Sequence, residues 1–344
     1  MASAKKGTIV LTGANGGLGA AVMDRMATRP ELSNFHAVCT VRDTSSATTL
    51  RSKIDTLSHD LLSMDTSRLD QVRDVAKTIN RRVAAGEMPP IRALILNAGF
   101  CEFEEQTWTE DGFDTSFAAT YLGHWLLALL LLQSMDRQVG RIVVTASSAH
   151  DTADPRNDAG AQYVEEKWKT IFHDSAEPIA RGTWSTPEED SSYKGGYRRY
   201  GAAKLCQAMM IPELQRRLNA DEALHNISIL GVDPGNVGTG ITRRGAIAIR
   251  AFANVMAWLA VIFTWLWPNG TFRTAKKSSG DILAAALDSN PVLGERPKEM
   301  YLNGEIPIEM SVEARDPKKR AILWAATIQY TGLRGDETAL VNWS

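Results

Sequence analysis

Short runs of β-branched and apolar residues alternate along the chain with longer segments of helical periodicity. The runs have the length of buried strands and end at glycine, proline or polar turns, and we predict strands at 8–11, 35–41, 59–64, 91–96, 141–146 and 227–232. The intervening segments predict helices at 20–27, 70–83, 111–134 and 205–218. Alternating strands and helices form a parallel sheet covered on both faces. The pattern therefore predicts a doubly wound α/β fold in a single domain spanning 1–344.

Three segments depart from this alternation. Residues 151–196 are polar and charged and contain several Gly and Pro, so we interpret them as an insertion on the substrate side, with a short helix at 163–172. Residues 247–267 are strongly apolar, but Arg250 and Asn254 leave an uninterrupted part too short for a comfortable membrane span. The run 125–132 is far shorter than the ~20 residues of a span and is interpreted as a buried helix face.

Composition is that of an ordinary globular protein. The 344 residues are 44% hydrophobic and 23% charged, and the net charge of -2 gives no electrostatic reason to expect nucleic acid. Cys39, Cys101 and Cys206 are far apart and lack metal-ligand spacing, so we predict no metal site and a reducing compartment. The N-terminus carries no signal-peptide pattern. These features predict a cytoplasmic protein, with contact to a membrane through 247–267 as an open alternative.

A glycine loop follows the first strand. It reads Thr12-Gly13-Ala14-Asn15-Gly16-Gly17-Leu18-Gly19 and leads into the first predicted helix. A strand, a glycine loop and a helix N-terminus form a phosphate cradle, because glycines admit the ligand and the free N–H groups face it. The loop therefore predicts a dinucleotide site.

The ends of the second and third strands bear on which dinucleotide binds. Arg42 stands where an arginine would pair with a 2′-phosphate, which favours NADP(H), although Asp43 beside it could instead meet a free 2′-hydroxyl. Asp65 could accept from an adenine amino group, and Asp65-Thr66-Ser67 is also a good helix cap.

Later strands end in residues suited to a ligand crevice. Asn97-Ala98-Gly99 follows the fourth strand, Ser147-Ser148 the fifth, and Asp233-Pro234-Gly235-Asn236-Val237-Gly238-Thr239 the sixth. A hydroxyl at such a position can donate to a substrate carbonyl as charge develops on it. One crevice at the carboxyl edge of the sheet can collect all of these residues.

Tyr200 and Lys204 are one helical turn apart, just before 205–218. A phenol titrates near ~10, and a neighbouring ammonium favours the phenolate. We therefore expect Lys204 to lower the pKa of Tyr200 toward the range that proton transfer to a carbonyl oxygen needs. His124 is interpreted as a core or interface histidine.

With these motifs in order, the chain resembles the short-chain dehydrogenase/reductase superfamily, in particular its retinol-dehydrogenase-like branch. The resemblance implies a Rossmann-type sheet of about seven strands, the last at 299–302, and a helical substrate lid at 240–275. It implies that Tyr200 donates the proton, Ser147 polarises the carbonyl, and Lys204 binds the nicotinamide ribose. It further implies that the cofactor is NADP(H) and that the remaining contacts come from Gly13, Asn15, Gly17, Leu18, Gly19, Arg42, Asp65, Asn97, Ala98, Gly99, Pro234, Gly235, Val237 and Thr239.

The chain departs from that family at three places. Thr120 stands where the family has an asparagine thought to organise a water relay, and its hydroxyl could still hold a water. Ser147 and Tyr200 are 53 positions apart, against one to two dozen in relatives, and the intervening insertion is similar to that of fungal members linked to secondary metabolism. The lid segment is unusually rich in Trp, so a membrane-touching lid stays open beside a lid that only lines a hydrophobic pocket.

The sequence thus predicts an NADP(H)-dependent reductase of a ketone or aldehyde on a hydrophobic substrate. A tail helix at 312–326 would pack on the body or on a neighbouring subunit of a homo-oligomer. Two other functions stay open. One is a non-redox enzyme of the same fold that cyclises, isomerises or dehydrates; the other is a dinucleotide-binding sensor without turnover.

Overall fold

One mixed sheet organises the protein. The computed structural model describes residues 5–238 and 247–344, with the backbone alone at 247–254 and 257. The strands of the described residues are β1 (Thr8–Thr12), β2 (His36–Val41), β3 (His59–Ser63), β4 (Ile91–Leu96), β5 (Arg141–Thr145), β6 (Ser228–Asp233), β7 (Asn236–Val237), β8 (Phe272–Arg273), β9 (Tyr301–Asn303) and β10 (Ile306–Pro307). Eight of them form the sheet in the order β10-β9-β6-β5-β4-β1-β2-β3. Seven run parallel, and the short β10 adds an antiparallel edge.

Helices cover both faces of this sheet. They are α1 (Gly17–Thr28), α2 (Thr48–Ile54), α3 (Leu69–Ala84), α4 (Thr115–Phe117), α5 (Gly123–Leu131), α6 (Glu177–Ala180), α7 (Tyr193–Asn219), α8 (Ile247–Leu266), α9 (Ala275–Leu287), α10 (Val312–Arg315) and α11 (Pro317–Thr331). Side chains alternate across a strand, so Ile9 and Leu11 pack with α1, α2 and α9 while Val10 packs with α3, α5 and α7. The α/β fold with a doubly wound sheet is confirmed.

The long apolar helix begins later than predicted. Gly112 has a φ of +75°, and the Asp114 carboxylate accepts from the Phe117 N–H at 3.1 Å, so the helix starts at Thr115 and not at 111. A π-helical turn, Ala118–Leu122, joins α4 to α5. The stretch Thr115–Ser134 is the one candidate membrane span among the described residues, and 94% of its apolar window is buried. The interpretation of 125–132 as a buried helix face is confirmed.

The insertion is mostly irregular. A helix at 163–172 is wrong, because this part has only a 3-10 turn at Glu166–Trp168. The insertion instead has its own small core, in which the buried Trp168 meets Trp184 edge to face at 5.5 Å between ring centroids. Its last four predicted residues, 193–196, belong to α7.

The tail forms two helices where one was predicted. Asp316 caps α11 through the N–H groups of Lys318 and Lys319, and Pro317 takes its first position, which ends α10 at Arg315. Trp324 of α11 is buried against Trp125, with ring centroids 5.0 Å apart. The tail therefore packs on the body of its own chain.

Candidate active site

A single cleft of about 1080 Å³ lies along the carboxyl ends of the parallel strands. Its lining includes the glycine loop at one side and Tyr200 and Lys204 at the other. Of the predicted site residues that the structure describes, only Thr120 does not line it. Thr120 is buried behind the wall, and Thr239 lies outside the described residues. The structure thus brings the other predicted site residues together in one place.

The glycine loop is open toward the cleft and closed behind it. Gly13 has a φ of +68°, and a Cβ placed on it would lie 2.9 Å from the Ala98 Cα. A Cβ on Gly19 would lie 2.3 Å from the Gly13 oxygen, so neither position has room for a side chain. Helix α1 begins at Gly17 with no side-chain cap, which leaves its first N–H groups available to an anion. This cradle fits a dinucleotide pyrophosphate.

Thr12 ties the loop to the next strand end. Its hydroxyl accepts from the Asn97 N–H at 2.8 Å and the Ala98 N–H at 2.9 Å. The Asn97 amide donates to the Thr12 oxygen at 2.9 Å. Asn97 therefore uses its amino group to hold the site together, and its amide oxygen is the atom left for a ligand.

Arg42 lies at the far end of the cleft. Arg42 is exposed, and its guanidinium forms no hydrogen bond or ion pair with the described residues. Asp43 turns back on its own loop, where Oδ1 accepts from the Ser45 N–H at 2.8 Å and its hydroxyl at 2.7 Å. These bonds lower the pKa of Asp43. They also engage the carboxylate that could otherwise have met a free 2′-hydroxyl.

Asp65 lines the cleft but does not cap a helix. Its Oδ1 accepts from the Ser67 N–H at 2.9 Å and its hydroxyl at 2.7 Å, which closes a turn. Helix α3 begins at Leu69 behind Arg68, so the predicted helix cap is wrong. The other carboxylate oxygen of Asp65 accepts no hydrogen bond from the described residues and is a candidate acceptor for a ligand in the cleft.

Tyr200 and Lys204 lie together on α7, with the Lys204 Nζ 5.6 Å from the centre of the Tyr200 ring. Burial raises the pKa of Tyr200 above its ordinary value, and a hydrogen bond with Ser147 opposes this only in part. Burial also lowers the pKa of Lys204 to about 7, although the negative charge of Asp233 acts to raise it. The net effect on the phenol is therefore opposite to the lowering expected from Lys204, because desolvation is the largest influence on this group.

Lys204 is held by two acceptors and joins a buried polar chain. Its Nζ donates to the Thr145 oxygen at 2.7 Å and to the Gln207 Oε1 at 2.9 Å. The Gln207 amide lies 3.1 Å from the His124 Nδ1, and the His124 Nε2 lies 2.9 Å from the Thr12 hydroxyl. Burial lowers the pKa of His124 to about 3, so this core histidine is neutral. Gln207 was not predicted, since nothing in its spacing distinguishes it from other helix residues.

The two serines after β5 differ in position. Ser147 lines the cleft, and its hydroxyl accepts from the Ala149 N–H at 3.2 Å, whereas Ser148 is buried in the following 3-10 turn. Behind them, Thr120 sits in the π-helical turn with a hydroxyl that has no partner among the described residues. That hydroxyl would be 3.5 Å from a Cβ on Gly99, so it faces the cleft wall.

Two arginines, Arg198 and Arg199, hold the insertion against the helix that carries Tyr200. The insertion therefore does not separate Ser147 from Tyr200. Arg198 donates to the Ser185 hydroxyl at 2.9 Å and to Asp190 at 2.7 Å, and stacks on Trp168 at 4.0 Å. Arg199 donates to the Ser185 oxygen at 2.9 Å. Both precede Tyr200 directly, so the insertion folds against the helix that carries the tyrosine.

Apolar side chains form much of the remaining wall. They come from the segment after Gly99, from the long helix, from α8 and from β8, and are Phe100, Phe103, Ala119, Met256 and Phe272. They were missed because they belong to no motif and meet only in the folded chain. Tyr197, one turn before Tyr200, also lines the cleft and donates to Asn157 of the insertion at 3.1 Å.

The family follows from comparison with known proteins. The model of the short chain dehydrogenase family matches residues 7–159. The chain is 42% identical over 363 aligned positions to the short-chain dehydrogenase iccH of Talaromyces variabilis, covering 98% of this chain and 99% of the relative. The chain belongs to the short-chain dehydrogenase family. Family membership makes it an oxidoreductase that uses a nicotinamide dinucleotide and a small-molecule substrate.

Other similarities agree with this short-chain dehydrogenase assignment. The short chain dehydrogenase/reductase dpchH of Colletotrichum higginsianum is 28% identical, over 94% of this chain and 75% of the relative. The structure of the angucycline C-6 ketoreductase LanV with bound NADP has a TM-score of 0.58 at 14% identity, over 87% of this chain and 93% of that one. The predicted family resemblance, including its fungal members, is confirmed, and so is the Rossmann-type fold.

Proposed function

We propose that this short-chain dehydrogenase is an NADP(H)-dependent reductase of a ketone or aldehyde on a hydrophobic substrate. One observation carries the proposal. A single cleft joins an open phosphate cradle and an arginine without a partner among the described residues to the Ser147, Tyr200 and Lys204 side chains. A dinucleotide that spans the cleft would have its nicotinamide end at Tyr200.

Arg42 supports NADP(H) over NAD(H). Its guanidinium is unpaired among the described residues, while Asp43 is engaged by Ser45. A planar guanidinium suits a phosphate, and a carboxylate would repel one. NADP bound to the similar fold of LanV agrees with this choice. Asp65, Asn97, Ala98, Pro234, Gly235 and Val237 would complete the cofactor site together with the glycine loop.

Tyr200 is in the protonation state that a proton donor needs. The cofactor, when bound, supplies the hydride. Since burial raises the pKa of Tyr200, its phenol is protonated at neutral pH, which is the state that donates to a developing oxyanion. Ser147 would donate to the same oxygen, and Lys204 would hold the ribose and stabilise the phenolate that remains. Thr120, whose hydroxyl has no partner among the described residues, would hold a water that returns a proton toward Lys204.

The cleft wall indicates an apolar substrate. Phe100, Phe103, Met256 and Phe272 present hydrocarbon surface to the cleft, and Met256 belongs to the lid helix α8. Apolar walls bind apolar substrates and exclude water from the reacting groups. Together with the fungal relatives, this supports a reduction step on a polyketide-like or terpenoid-like intermediate of a biosynthetic pathway.

The outer face of α8 supports contact with a membrane surface. Trp258, Trp265 and Trp267 are 87%, 80% and 60% exposed, whereas Ala260 and Met256 face the body. Exposed indoles on one helix are typical of helices that lie in the lipid interface. We propose a cytoplasmic enzyme whose lid rests on a membrane from which apolar substrate can enter.

The test is NADPH oxidation against a panel of lipophilic ketones and aldehydes. Tyr200→Phe should retain NADPH binding and lose about 10²- to 10⁴-fold in rate, because it removes the proton donor. Tyr193→Phe, on the same helix with its hydroxyl 3.3 Å from the Gly160 oxygen, is the matched control and should keep the activity. An undiminished rate in Tyr200→Phe would refute the role of the tyrosine.

Two other outcomes would favour the alternatives. Substrate conversion without NADPH oxidation would indicate a non-redox enzyme. NADPH binding with no turnover across the panel would indicate a dinucleotide-binding sensor.

A further inference from the structure

The insertion contacts the central sheet through an ion pair with one buried carboxylate. Asp233, the last residue of β6, has a side chain that is 2% exposed. The Arg156 Nη1 lies 2.9 Å from the Asp233 Oδ2. It is the one ion pair of this carboxylate among the residues that the structure describes. Because a buried carboxylate without a cation is strongly unfavourable, Arg156 stabilises the charge at this position.

The guanidinium of Arg156 is itself fixed from several sides. Asp154 accepts from its Nε at 3.0 Å and from its Nη2 at 2.6 Å, a two-point contact. The Nη1 also lies 3.3 Å from the Asn303 Oδ1 on β9. These contacts lock the insertion, β6 and β9 into one arrangement, so the pair with Asp233 is built into the fold.

The other carboxylate oxygen of Asp233 holds a turn of the cleft. The Gly235 N–H donates to the Asp233 Oδ1 at 2.8 Å. Gly235 has a φ of +70°, and a Cβ on it would lie 3.0 Å from the Arg273 Nε, so the turn is tightly confined. Pro234 and Gly235 both line the cleft, and the strand before them pairs at Val232 with Thr145, whose main-chain oxygen accepts from Lys204. The shape of this wall therefore depends on the Asp233 carboxylate.

We propose that Arg156 is a positioning residue for the dinucleotide site. It acts through Asp233 on the turn at Pro234–Gly235, so the insertion shapes the end of the cleft next to Lys204 as well as the substrate side. This inference rests on the proposed function, since it concerns a dinucleotide whose nicotinamide end meets that turn.

The test compares two ligands by calorimetry. NADPH would reach from Arg42 to Tyr200, whereas 2′,5′-ADP carries the adenosine and the 2′-phosphate but no nicotinamide. Arg156→Met should weaken NADPH binding about tenfold, because it leaves an unpaired buried charge that disturbs the turn. The same change should leave 2′,5′-ADP binding within about twofold, because its site lies at Arg42.

A second substitution separates positioning from folding. Asp233→Asn removes the charge but keeps an oxygen that accepts from the Gly235 N–H, so adding it to Arg156→Met should restore most of the NADPH affinity. Arg315→Met is the matched control, since Arg315 pairs with Glu309 at an exposed site, and it should change neither affinity. If Arg156→Met does not fold, Arg156→Lys should show the same split, because an ammonium cannot make both contacts.

Each contrary result is specific. NADPH affinity that is unchanged in the Arg156 variants would overturn the inference. If Arg156→Met weakens the binding of both ligands equally, or if the double variant does not regain NADPH affinity, then Arg156 only supports the fold. A wild-type protein that binds neither ligand would refute the proposed cofactor site, and the inference with it.

Discussion

The Gln207 amide should tune the charge of Lys204. Lys204 is buried, its pKa is about 7, and Gln207 is one of its two hydrogen-bond acceptors. Gln207→Met removes that acceptor with little change in size. A hydrogen bond to a charged group contributes about 1.5–3 kcal/mol, and one pKa unit corresponds to about 1.4 kcal/mol, so the pKa of Lys204 should fall by about one to two units.

The direction follows from the charge. Lysine is charged below its pKa, and the lost acceptor favoured the charged form. At pH 7 the charged fraction should fall from about a half to between about a tenth and a hundredth. Three other titratable groups act here. The pKa of Tyr200 lies above this range, His124 has a pKa of about 3 and is neutral, and the Asp233 charge acts on Lys204 in both proteins.

The assay is the pH dependence of kcat/KM for NADPH, which reports groups of the free enzyme. In the wild type, kcat/KM should decline as the pH rises through about 7. In Gln207→Met the decline should begin about one to two units lower, and in Gln207→Glu it should move upward, because a carboxylate favours the ammonium.

A buried glutamine elsewhere on α7 provides the control. Gln215 hydrogen-bonds the Ile227 oxygen and the Ile229 N–H and makes no contact with Lys204. Gln215→Met should lower stability but leave the pH midpoint in place. Profiles of both Gln207 variants that superimpose on the wild type would refute the assignment of Gln207 as a partner of the lysine charge.

Two further predictions concern the ends of the cleft. Arg42→Asp should lower the preference for NADPH over NADH by about tenfold to a hundredfold, because the change replaces a charged contact to the 2′-phosphate by repulsion. Arg29→Asp, at another exposed arginine, is the control. An unchanged ratio of NADPH to NADH activity in Arg42→Asp would remove Arg42 from the cofactor site. The Trp258→Ser, Trp265→Ser double variant should lose co-sedimentation with lipid vesicles while Trp108→Ser, another exposed indole, keeps it. Wild-type protein that stays in the supernatant would exclude the lipid contact.

The strands and the motif order could be predicted because both are local signals. A mostly apolar run such as 91–96 predicts a strand from its own residues and forms β4, and parallel strands bring their carboxyl ends to one edge. The fold and the cleft follow from these two facts. Most of the predicted site residues accordingly line one cavity.

The errors arose where long-range contacts or local capping decide the structure. The structure of the insertion depends on contacts between residues far apart in the sequence, such as Arg198 with Trp168. A periodic pattern does not reveal such contacts. Asp65 forms a turn with Ser67 in place of a cap, and Pro317 divides the tail into two helices. The pKa of Tyr200 was expected to fall because sequence spacing reveals a neighbouring charge but not the depth of burial.

Arg198, two positions before Tyr200, is useful for comparing the sequences of homologues. Apart from its stacking on Trp168, Arg198 finds its partners at Gln162, Ser185 and Asp190, all within the extra loop. A homologue that lacks this loop would have no use for a buried guanidinium there. An arginine two positions upstream of the Tyr-x-x-x-Lys signature should therefore mark, in a newly read genome, the homologues that carry the long version of the enzyme.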